Sequence, residues 1–136
     1  MIGIDIVPAL VERARKLTSS ADRVRFELVE PGPFPFEPGS FDIVFTKDAL
    51  LHFPDKDQAF AEIYRVLVPD GAFIGSDWLA GENIARCPAW ARFLELRRPS
   101  FAMVDAEAMI AAMRRAGFED IRTIDRNAWF AKTAER

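Results

Sequence analysis

The sequence has few of the residues that build covalent frameworks, metal sites and phosphate-binding loops. Its 136 residues include one cysteine, Cys87, and one histidine, His52. A single cysteine excludes an internal disulfide framework and a zinc site made of cysteine ligands, and we expect no metal site. The seven glycines include no pair with the spacing G-x-G. Because the glycines are scattered, the sequence disfavours a dinucleotide-binding enzyme, whose phosphate loop needs clustered glycines. We interpret Cys87, which precedes Pro88, as an ordinary helix-start residue and not as a nucleophile.

The sequence also lacks a strong excess of one charge and lacks long apolar runs. The 18 basic and 21 acidic residues give a net charge of −3. This slight acidic excess disfavours a dedicated binder of nucleic acid or of anionic membranes. No apolar run approaches the ~20 residues of a membrane span, and the N-terminus does not resemble a signal peptide. We therefore expect a cytoplasmic protein with a single domain over residues 1–136.

The sequence does contain an alternation of short apolar runs and amphipathic stretches. Half of its residues are apolar. The short runs predict strands at residues 2–7, 24–29, 41–46, 72–76 and 121–124. Start signals and helical periodicity predict helices that begin near Pro8, Asp55, Pro88, Asp105 and Asn127. Strands that alternate with helices predict an α/β fold, with a mostly parallel sheet and helices on both of its faces.

The first predicted strand has an acidic residue at its end, in Gly3-Ile4-Asp5-Ile6, and a helix follows. In nucleotide-binding α/β sheets, a carboxylate at such a strand end accepts hydrogen bonds from both ribose hydroxyls. A carboxylate at this place also caps the start of a following helix. The residues alone leave both interpretations of Asp5 open.

Further motifs, taken with this strand end, resemble those of one enzyme family. The motifs are Phe41-Asp42-Ile43-Val44-Phe45, Leu51-His52-Phe53 and Arg65-Val66-Leu67-Val68-Pro69-Asp70-Gly71. They are similar to motifs of the class I S-adenosylmethionine-dependent methyltransferases. More narrowly, Lys47-Asp48-Ala49-Leu50-Leu51-His52, Ser76-Asp77-Trp78 and Asp125-Arg126-Asn127 resemble the phosphoethanolamine N-methyltransferase branch. The resemblance implies a Rossmann-like fold and methyl transfer from S-adenosylmethionine to a small, phosphoethanolamine-like amine.

The resemblance places the cofactor at the ends of the first three predicted strands. Asp5, followed by Ile6, corresponds to the acid that binds the adenosine ribose in the family. Glu30, followed by Pro31, stands where the family has an Asp that receives the adenine amino group. Lys47, at the end of the third strand, is assigned to the same cofactor site.

Asp48 and His52 correspond to the catalytic acid–histidine pair of the family. Methyl transfer to an amine requires the neutral amine, because an ammonium has no lone pair. A primary amine resembles lysine, with a pKa of ~10.4, and is almost fully protonated at neutral pH. A histidine can take this proton, and an aspartate can orient the histidine or hold the ammonium. The four-residue spacing predicts that both side chains share one face of a helical turn. Without the resemblance, a capping Asp48 and an exposed His52 are the simpler interpretation.

The resemblance implies that Trp78, Phe93 and Arg97 bind the substrate. Arg97 corresponds to an arginine that grips the substrate phosphate, and the alternative for it is a solvated helix end. Trp78, Phe93 and Pro99 fall where the phosphoethanolamine enzymes commonly have tyrosines, so phenol donors to a phosphate are missing. The residues themselves favour core or pocket wall over a cation cage for Trp78 and Trp90.

The sequence lacks two parts of the fold that the resemblance implies. These enzymes begin with a strand and a G-x-G-x-G loop that approaches the methionine part of the cofactor, and they continue into a final strand. In the family's strand order, 3-2-1-4-5-7-6, the first strand is central. We therefore expect weak or absent binding of S-adenosylmethionine. We also expect a homo-oligomer, with or without exchanged elements, that covers the open strand edges.

Two functional hypotheses follow from these features. In the first, the chain is a truncated small-molecule methyltransferase. In the second, it is an inactive methyltransferase-like module with an oligomerisation or partner-binding role. The pair Asp48 and His52, together with Arg97, favours the first, whereas the missing glycine loop favours the second for the chain in isolation.

Overall fold

A computed structural model of the chain describes residues 1–18, 23–81, 84–97 and 101–134. Within these ranges, four strands are present: β1 (Ile2–Asp5), β2 (Arg25–Leu28), β3 (Phe41–Lys47) and β4 (Leu67–Ser76). The helices in the same ranges are α1 (Pro8–Leu17), α2 (Lys56–Val66), α3 (Pro88–Arg97), α4 (Ala106–Ala116) and α5 (Asn127–Ala134). Short 3-10 turns lie at Leu50–His52 and Ile84–Arg86. Of the described helices, none has the length and hydrophobicity that crossing a membrane requires.

The strands form two parallel pairs. β1 pairs with β2, with Asp5 opposite Leu28. β3 pairs with β4, with Lys47 opposite Ser76. Among the described residues, no strand ladder joins the two pairs, so each strand has one unpaired edge. The parallel direction confirms the prediction made from alternating strands and helices.

Capping residues determine where α2 and α4 begin and where α4 ends. Asp55 and Asp105 immediately precede the two helices, and their side chains accept hydrogen bonds from the backbone N–H of Gln58 (2.9 Å) and Ala108 (2.8 Å). These bonds satisfy N–H groups that have no partner inside the helix. Gly117 ends α4 with φ at +109°, a conformation that residues with a Cβ avoid.

The hydrophobic core lies between α2, α4 and one face of the β3–β4 sheet. Phe60, Ile63 and Val66 of α2 are fully buried, because a spacing of three residues places them on one side of the helix. Phe60 contacts Phe73 and Phe118 edge to face, with ring centroids 5.7 and 6.3 Å away. The core therefore fixes α2 against β4 and against the residues that follow α4.

An ion pair on α2 anchors the proline-rich segment 31–39. Arg65 donates to Glu62 from Nε (2.9 Å) and Nη2 (2.7 Å), and also to the carbonyls of Phe36 (2.7 Å) and Phe34 (3.0 Å). Glu62 in turn accepts from the backbone N–H of Phe34 (2.8 Å). The hydrogen bond from Arg65 is the main reason why the pKa of Glu62 lies below its usual 4.5. These bonds hold in place a segment in which prolines prevent regular structure.

The predicted strand at residues 121–124 is wrong. This segment lies between α4 and α5 and pairs with no described strand. β-branched residues favour an extended chain, but a strand also needs a neighbour for its N–H and C=O groups. β4 also differs from its prediction, because it begins at Leu67. Its register shifts so that Phe41 lies opposite Leu67 and Ile43 lies opposite Ala72, which leaves Pro69-Asp70-Gly71 as a bulge.

The face of the β3–β4 sheet that points away from the core carries exposed apolar side chains. Ile43, Phe45 and Ile74 are 58%, 64% and 53% exposed. Phe45 lies directly opposite Ile74 in the register. Parallel sheets normally bury both faces, so this surface is unusual for a sheet of this type.

Candidate active site

Asp5 lies at the carboxyl end of β1, at the entrance to α1. Its Oδ1 accepts a hydrogen bond from the backbone N–H of Val7 (2.8 Å). Its other carboxylate oxygen makes no hydrogen bond with the described residues. One oxygen thus shapes the turn into the helix and the other is open to a hydroxyl group. Both interpretations of Asp5 are compatible with this geometry.

The other residues assigned to the cofactor also lie at or just beyond strand ends. Ile6 follows β1, Glu30 and Pro31 follow β2, and Lys47 is the last residue of β3. All four are exposed. The N–H of Val29, which lies between β2 and Glu30, donates to the carbonyl of Asp5 (3.0 Å). Asp5 and Glu30 therefore share one end of the β1–β2 sheet. Their contact with a cofactor stays a prediction.

Asp48 and His52 lie in the loop after β3. Asp48 has φ at +51°, and its N–H donates to the carbonyl of Ser76 (2.8 Å). The 3-10 turn begins at Leu50 and ends at His52. The prediction that the pair shares a face of a helical turn is therefore wrong, because pairing with the end of β4 holds Asp48 outside the turn. Both residues are exposed, and their role as a catalytic pair stays a prediction.

Asp77, which follows β4, fixes the turn that carries His52. Its Oδ2 accepts from the N–H of Leu51 (3.0 Å), and its Oδ1 accepts from the N–H of Trp78 (2.8 Å). The carbonyl of Leu51 accepts in turn from the N–H of Ala102 (2.7 Å). The turn is therefore held from two sides, by a carboxylate and by a backbone segment.

Lys56 is buried at the start of α2, with 7% of its surface exposed. Its Nζ donates to the carbonyls of Leu50 (2.8 Å), Ala102 (2.7 Å) and Phe53. Three acceptors match the three donors of an ammonium group. Burial lowers the pKa of Lys56 below its usual 10.5, and the carboxylate of Asp77 opposes this effect. Lys56 thus ties together α2, the His52 turn and the segment before α4.

An apolar cavity of about 260 Å³ lies beside this turn. The described residues that line it are all apolar, and they include Leu51, Leu79, Ile84 and Met103 together with four aromatic side chains. One of these is Phe101, whose ring centroid lies 5.5 Å from that of His52. The cavity and the candidate histidine are therefore neighbours.

The aromatic side chains of the cavity are Trp78, Trp90, Phe93 and Phe101. Three of these rings are nearly parallel. The centroid of Trp90 lies 5.3 Å from Phe93 and 6.0 Å from Phe101, at interplanar angles of 21° and 8°. Phe93 and Phe101 are 6.4 Å apart at 16°. Trp78 and Trp90 thus belong to a pocket wall, as their residue types predict. The predicted substrate residues Trp78 and Phe93 line the same cavity.

Arg97, the third predicted substrate residue, is the last residue of α3, and its side chain lies outside the described part of the structure. Pro99 lies outside the described residues. Binding of a substrate phosphate by Arg97 stays a prediction.

Two residues of the site, Lys56 and Asp77, are not among those predicted from the sequence. Lys56 stands four and seven residues before Phe60 and Ile63, so it falls on the apolar face of α2. A lysine on such a face was a usable signal of a buried, hydrogen-bonded ammonium. Asp77 directly follows β4, whereas Asp5 is the last residue of β1, and an acid at a strand end was a usable signal in both cases.

Comparison with known proteins identifies the family of the chain. The family model described as a methyltransferase domain matches residues 1–75, more than half of the chain. The 27-O-demethylrifamycin SV methyltransferase of Amycolatopsis mediterranei is 34% identical over 143 residues, which cover 98% of this chain and 52% of the relative. Phosphoethanolamine N-methyltransferase 3 of Arabidopsis thaliana is 27% identical over 140 residues, which cover 100% of this chain and 27% of the relative. The chain belongs to the class I S-adenosylmethionine-dependent methyltransferases.

Solved structures show the same fold. The chain matches the phosphoethanolamine N-methyltransferase 2 of Haemonchus contortus, which was solved with phosphomonomethylethanolamine and S-adenosylhomocysteine, with a TM-score of 0.87 and 24% identity. The match covers 96% of this chain and 31% of that enzyme. The predicted α/β methyltransferase fold is confirmed. The chain spans about half of the length of the rifamycin relative and less of the other two.

Proposed function

We propose that the protein transfers a methyl group from S-adenosylmethionine to a small amine-type acceptor. The observation that carries this proposal is the fixed loop after β3, where His52 stands beside an apolar cavity in a chain of the methyltransferase family. S-adenosylmethionine, when bound, supplies a methyl group that an electron pair on the acceptor can attack. His52 would take the proton that the amine must lose, and Asp48 would hold the ammonium before this step.

The residues present fit the adenosine part of the cofactor. The open carboxylate oxygen of Asp5 suits a ribose hydroxyl, and Glu30 at the same sheet end offers an acceptor for the adenine amino group. The scattered glycines provide no loop of the type that approaches the methionine part. We therefore propose that this chain binds S-adenosylmethionine weakly. Titration calorimetry that gives micromolar affinity or tighter would contradict this.

His52 and Asp5 should give opposite signatures when they are replaced. His52→Ala should lower turnover by ~10²–10⁴-fold, the usual contribution of a positioned base, with little change in cofactor affinity. Asp5→Ala should weaken cofactor binding, because a hydrogen bond to a charged group contributes roughly 1.5–3 kcal/mol. Transfer of a labelled methyl group measures turnover, and calorimetry measures affinity. Unchanged turnover in His52→Ala would show that the proton leaves by another route.

The motifs shared with the phosphoethanolamine branch make phosphoethanolamine the first acceptor to test. If Arg97 binds the phosphate, Arg97→Ala should raise the KM for phosphoethanolamine, while ethanolamine serves as the control without a phosphate. Equal KM values for phosphoethanolamine in the wild type and in Arg97→Ala would refute the assignment of Arg97 to the substrate phosphate. The broader proposal of an amine methyltransferase would survive that result.

We also propose that the chain forms a homo-oligomer through the exposed face of the β3–β4 sheet. A second copy of the chain would cover this face, because Ile43, Phe45 and Ile74 form an apolar surface next to unpaired strand edges. Light scattering should give a mass above the 15.4 kDa of one chain, and Phe45→Ser should lower it. Leu96→Ser, on the exposed surface of α3, is the matched control. A monomer at high concentration would contradict the proposal, whereas an oligomer without methyl transfer would favour the inactive-module hypothesis.

A further inference from the structure

We propose that the acceptor is an amine carried on a flat apolar ring system, and that this ring system binds in the cavity formed by Trp78, Trp90, Phe93 and Phe101. This inference rests on the proposed methyl transfer and names the substrate class of that same site. It distinguishes the acceptor from phosphoethanolamine, whose only apolar part is a short ethylene stem.

The chemistry of the cavity lining favours an apolar guest. Every described residue that lines the cavity is apolar. Among these residues only Trp78 and Trp90 carry a side-chain donor, one indole N–H each, so a phosphate placed there would lose more hydrogen bonds to water than it could regain, which is unfavourable. An apolar guest instead gains from leaving water, in proportion to the apolar area that it buries. Trp78 and Phe93 therefore suit a hydrocarbon surface better than a phosphate.

The size and shape of the cavity further limit which groups can bind in it. A cavity of ~150 Å³ holds one benzene ring, whereas drug-sized ligands occupy ~300–1,000 Å³. The volume here is about 260 Å³, which suits a group of one or two fused rings. The nearly parallel rings of Trp90, Phe93 and Phe101 lie 5.3 to 6.4 Å apart, too close to admit another ring between them, so they form one aromatic cluster. A flat guest can pack against the outside of this cluster with most of its area.

Hydrogen bonds hold the two backbone segments that carry Trp78 and Phe101. The N–H of Ala80 donates to the carbonyl of Val104 (2.9 Å), which joins the segment of Trp78 to the segment of Phe101. Lys56 and the N–H of Ala102 tie this second segment to the His52 turn. This part of the cavity is therefore preformed, which spares the guest the entropy cost of ordering it.

The position of His52 is the reason for proposing that the guest carries an amine. Its ring contacts Phe101, which lines the cavity. A ring system in the cavity with a short alkyl arm would therefore carry its nitrogen towards His52. The acceptor nitrogen and the candidate base would meet at the cavity edge, outside the apolar lining.

Binding of 2-(1-naphthyl)ethylamine to the whole chain, followed by calorimetry, tests the proposal. Phe93→Ala should weaken this binding about tenfold, which corresponds to about 1.4 kcal/mol. Trp129→Ala is the control, because Trp129 is exposed on α5 and is not among the residues that line the cavity. Circular dichroism checks that both variants keep their fold. Excess phosphoethanolamine should not displace the naphthyl amine.

Three results would overturn the inference: no binding of the naphthyl amine, equal binding by Phe93→Ala and the wild type, or displacement by phosphoethanolamine. Methyl transfer to phosphoethanolamine but not to the naphthyl amine would also overturn it, and the proposed methyltransferase function would stand. Binding of the naphthyl amine that depends on Phe93, without methyl transfer to any amine, would support the assignment of the cavity and would refute the proposed function.

Discussion

Replacing Lys56 by methionine should destabilise the protein by about 1–2 kcal/mol. Methionine keeps the length and apolar character of the lysine stem but removes the ammonium group. The carbonyl of Leu50 would still accept from the N–H of Phe53 (3.0 Å). The carbonyls of Phe53 and Ala102 would lose the donor that Lys56 provides. The substitution removes the donor of each hydrogen bond but leaves the carbonyl acceptor in place, so the acceptor loses its partner.

The magnitude follows from the burial of these two carbonyls. A buried acceptor without a partner costs ~1–3 kcal/mol. Phe53 and Ala102 are only partly buried, so each carbonyl contributes near the lower end of that range. Relief from burying a charge offsets part of the loss, because burial already disfavours the ammonium of Lys56. The two carbonyls sum to about 2 kcal/mol before this offset, so the net loss should be about 1–2 kcal/mol, and with a urea slope of ~1–3 kcal/mol per molar the midpoint should fall by about 0.5–1 M.

Urea unfolding followed by circular dichroism measures this change, and two further variants interpret it. Lys132→Met, on the exposed surface of α5, should change stability by less than ~0.5 kcal/mol. Lys56→Arg keeps the charge but replaces a compact ammonium with a larger planar group, so it should also destabilise. If the change in the free energy of unfolding is as small for Lys56→Met as for Lys132→Met, the three carbonyl contacts do not hold the His52 turn and the reasoning is refuted.

Three other changes test separate parts of the fold. The stability that Glu62 contributes should be present above its ordinary pKa of 4.5 and be lost as the pH falls through its lowered folded-state pKa, so Glu62→Gln should flatten acid unfolding curves. Unaltered curves would mean that its pairing with Arg65 adds no stability. Gly117→Ala should cost about 1–2 kcal/mol, since φ is +109° and a Cβ there would lie 2.9 Å from Tyr64, and a stabilised variant would refute this. Phe60→Ala should lose ~3–5 kcal/mol by thermal unfolding because its side chain is fully buried, and a loss below ~1 kcal/mol would place the core elsewhere.

Features that depend on neighbouring residues in the chain could be predicted from the sequence. The caps Asp55 and Asp105 act within three residues, and both form the expected hydrogen bonds. Gly117 ends α4 as its position predicts. The parallel direction of the strands follows from the intervening helices, and the strand ends that carry Asp5 and Lys47 lie within two residues of their predicted positions.

Features that depend on distant parts of the chain could not be predicted in the same way. The segment 121–124 has the composition of a strand but has no described partner strand. Asp48 is held outside the 3-10 turn by a hydrogen bond to Ser76, 28 positions further along the chain, so local spacing alone misplaced it. The cavity is assembled from segments that meet only in the folded chain, and neither its volume nor its parallel rings follow from periodicity.

The apolar cavity and the candidate base favour the same chemical event. An amine can attack a methyl group only after losing its extra proton. Removing water from an ammonium disfavours its charged form and lowers its pKa, and a tenfold change in this acidity corresponds to about 1.4 kcal/mol. A ring system seated against Phe93 and Phe101 would exclude water from the side of the amine that faces the cavity. His52 at the cavity edge would then accept the proton from a group that has already become more acidic. Within the proposed reaction, the same aromatic wall would serve both recognition of the acceptor and its activation.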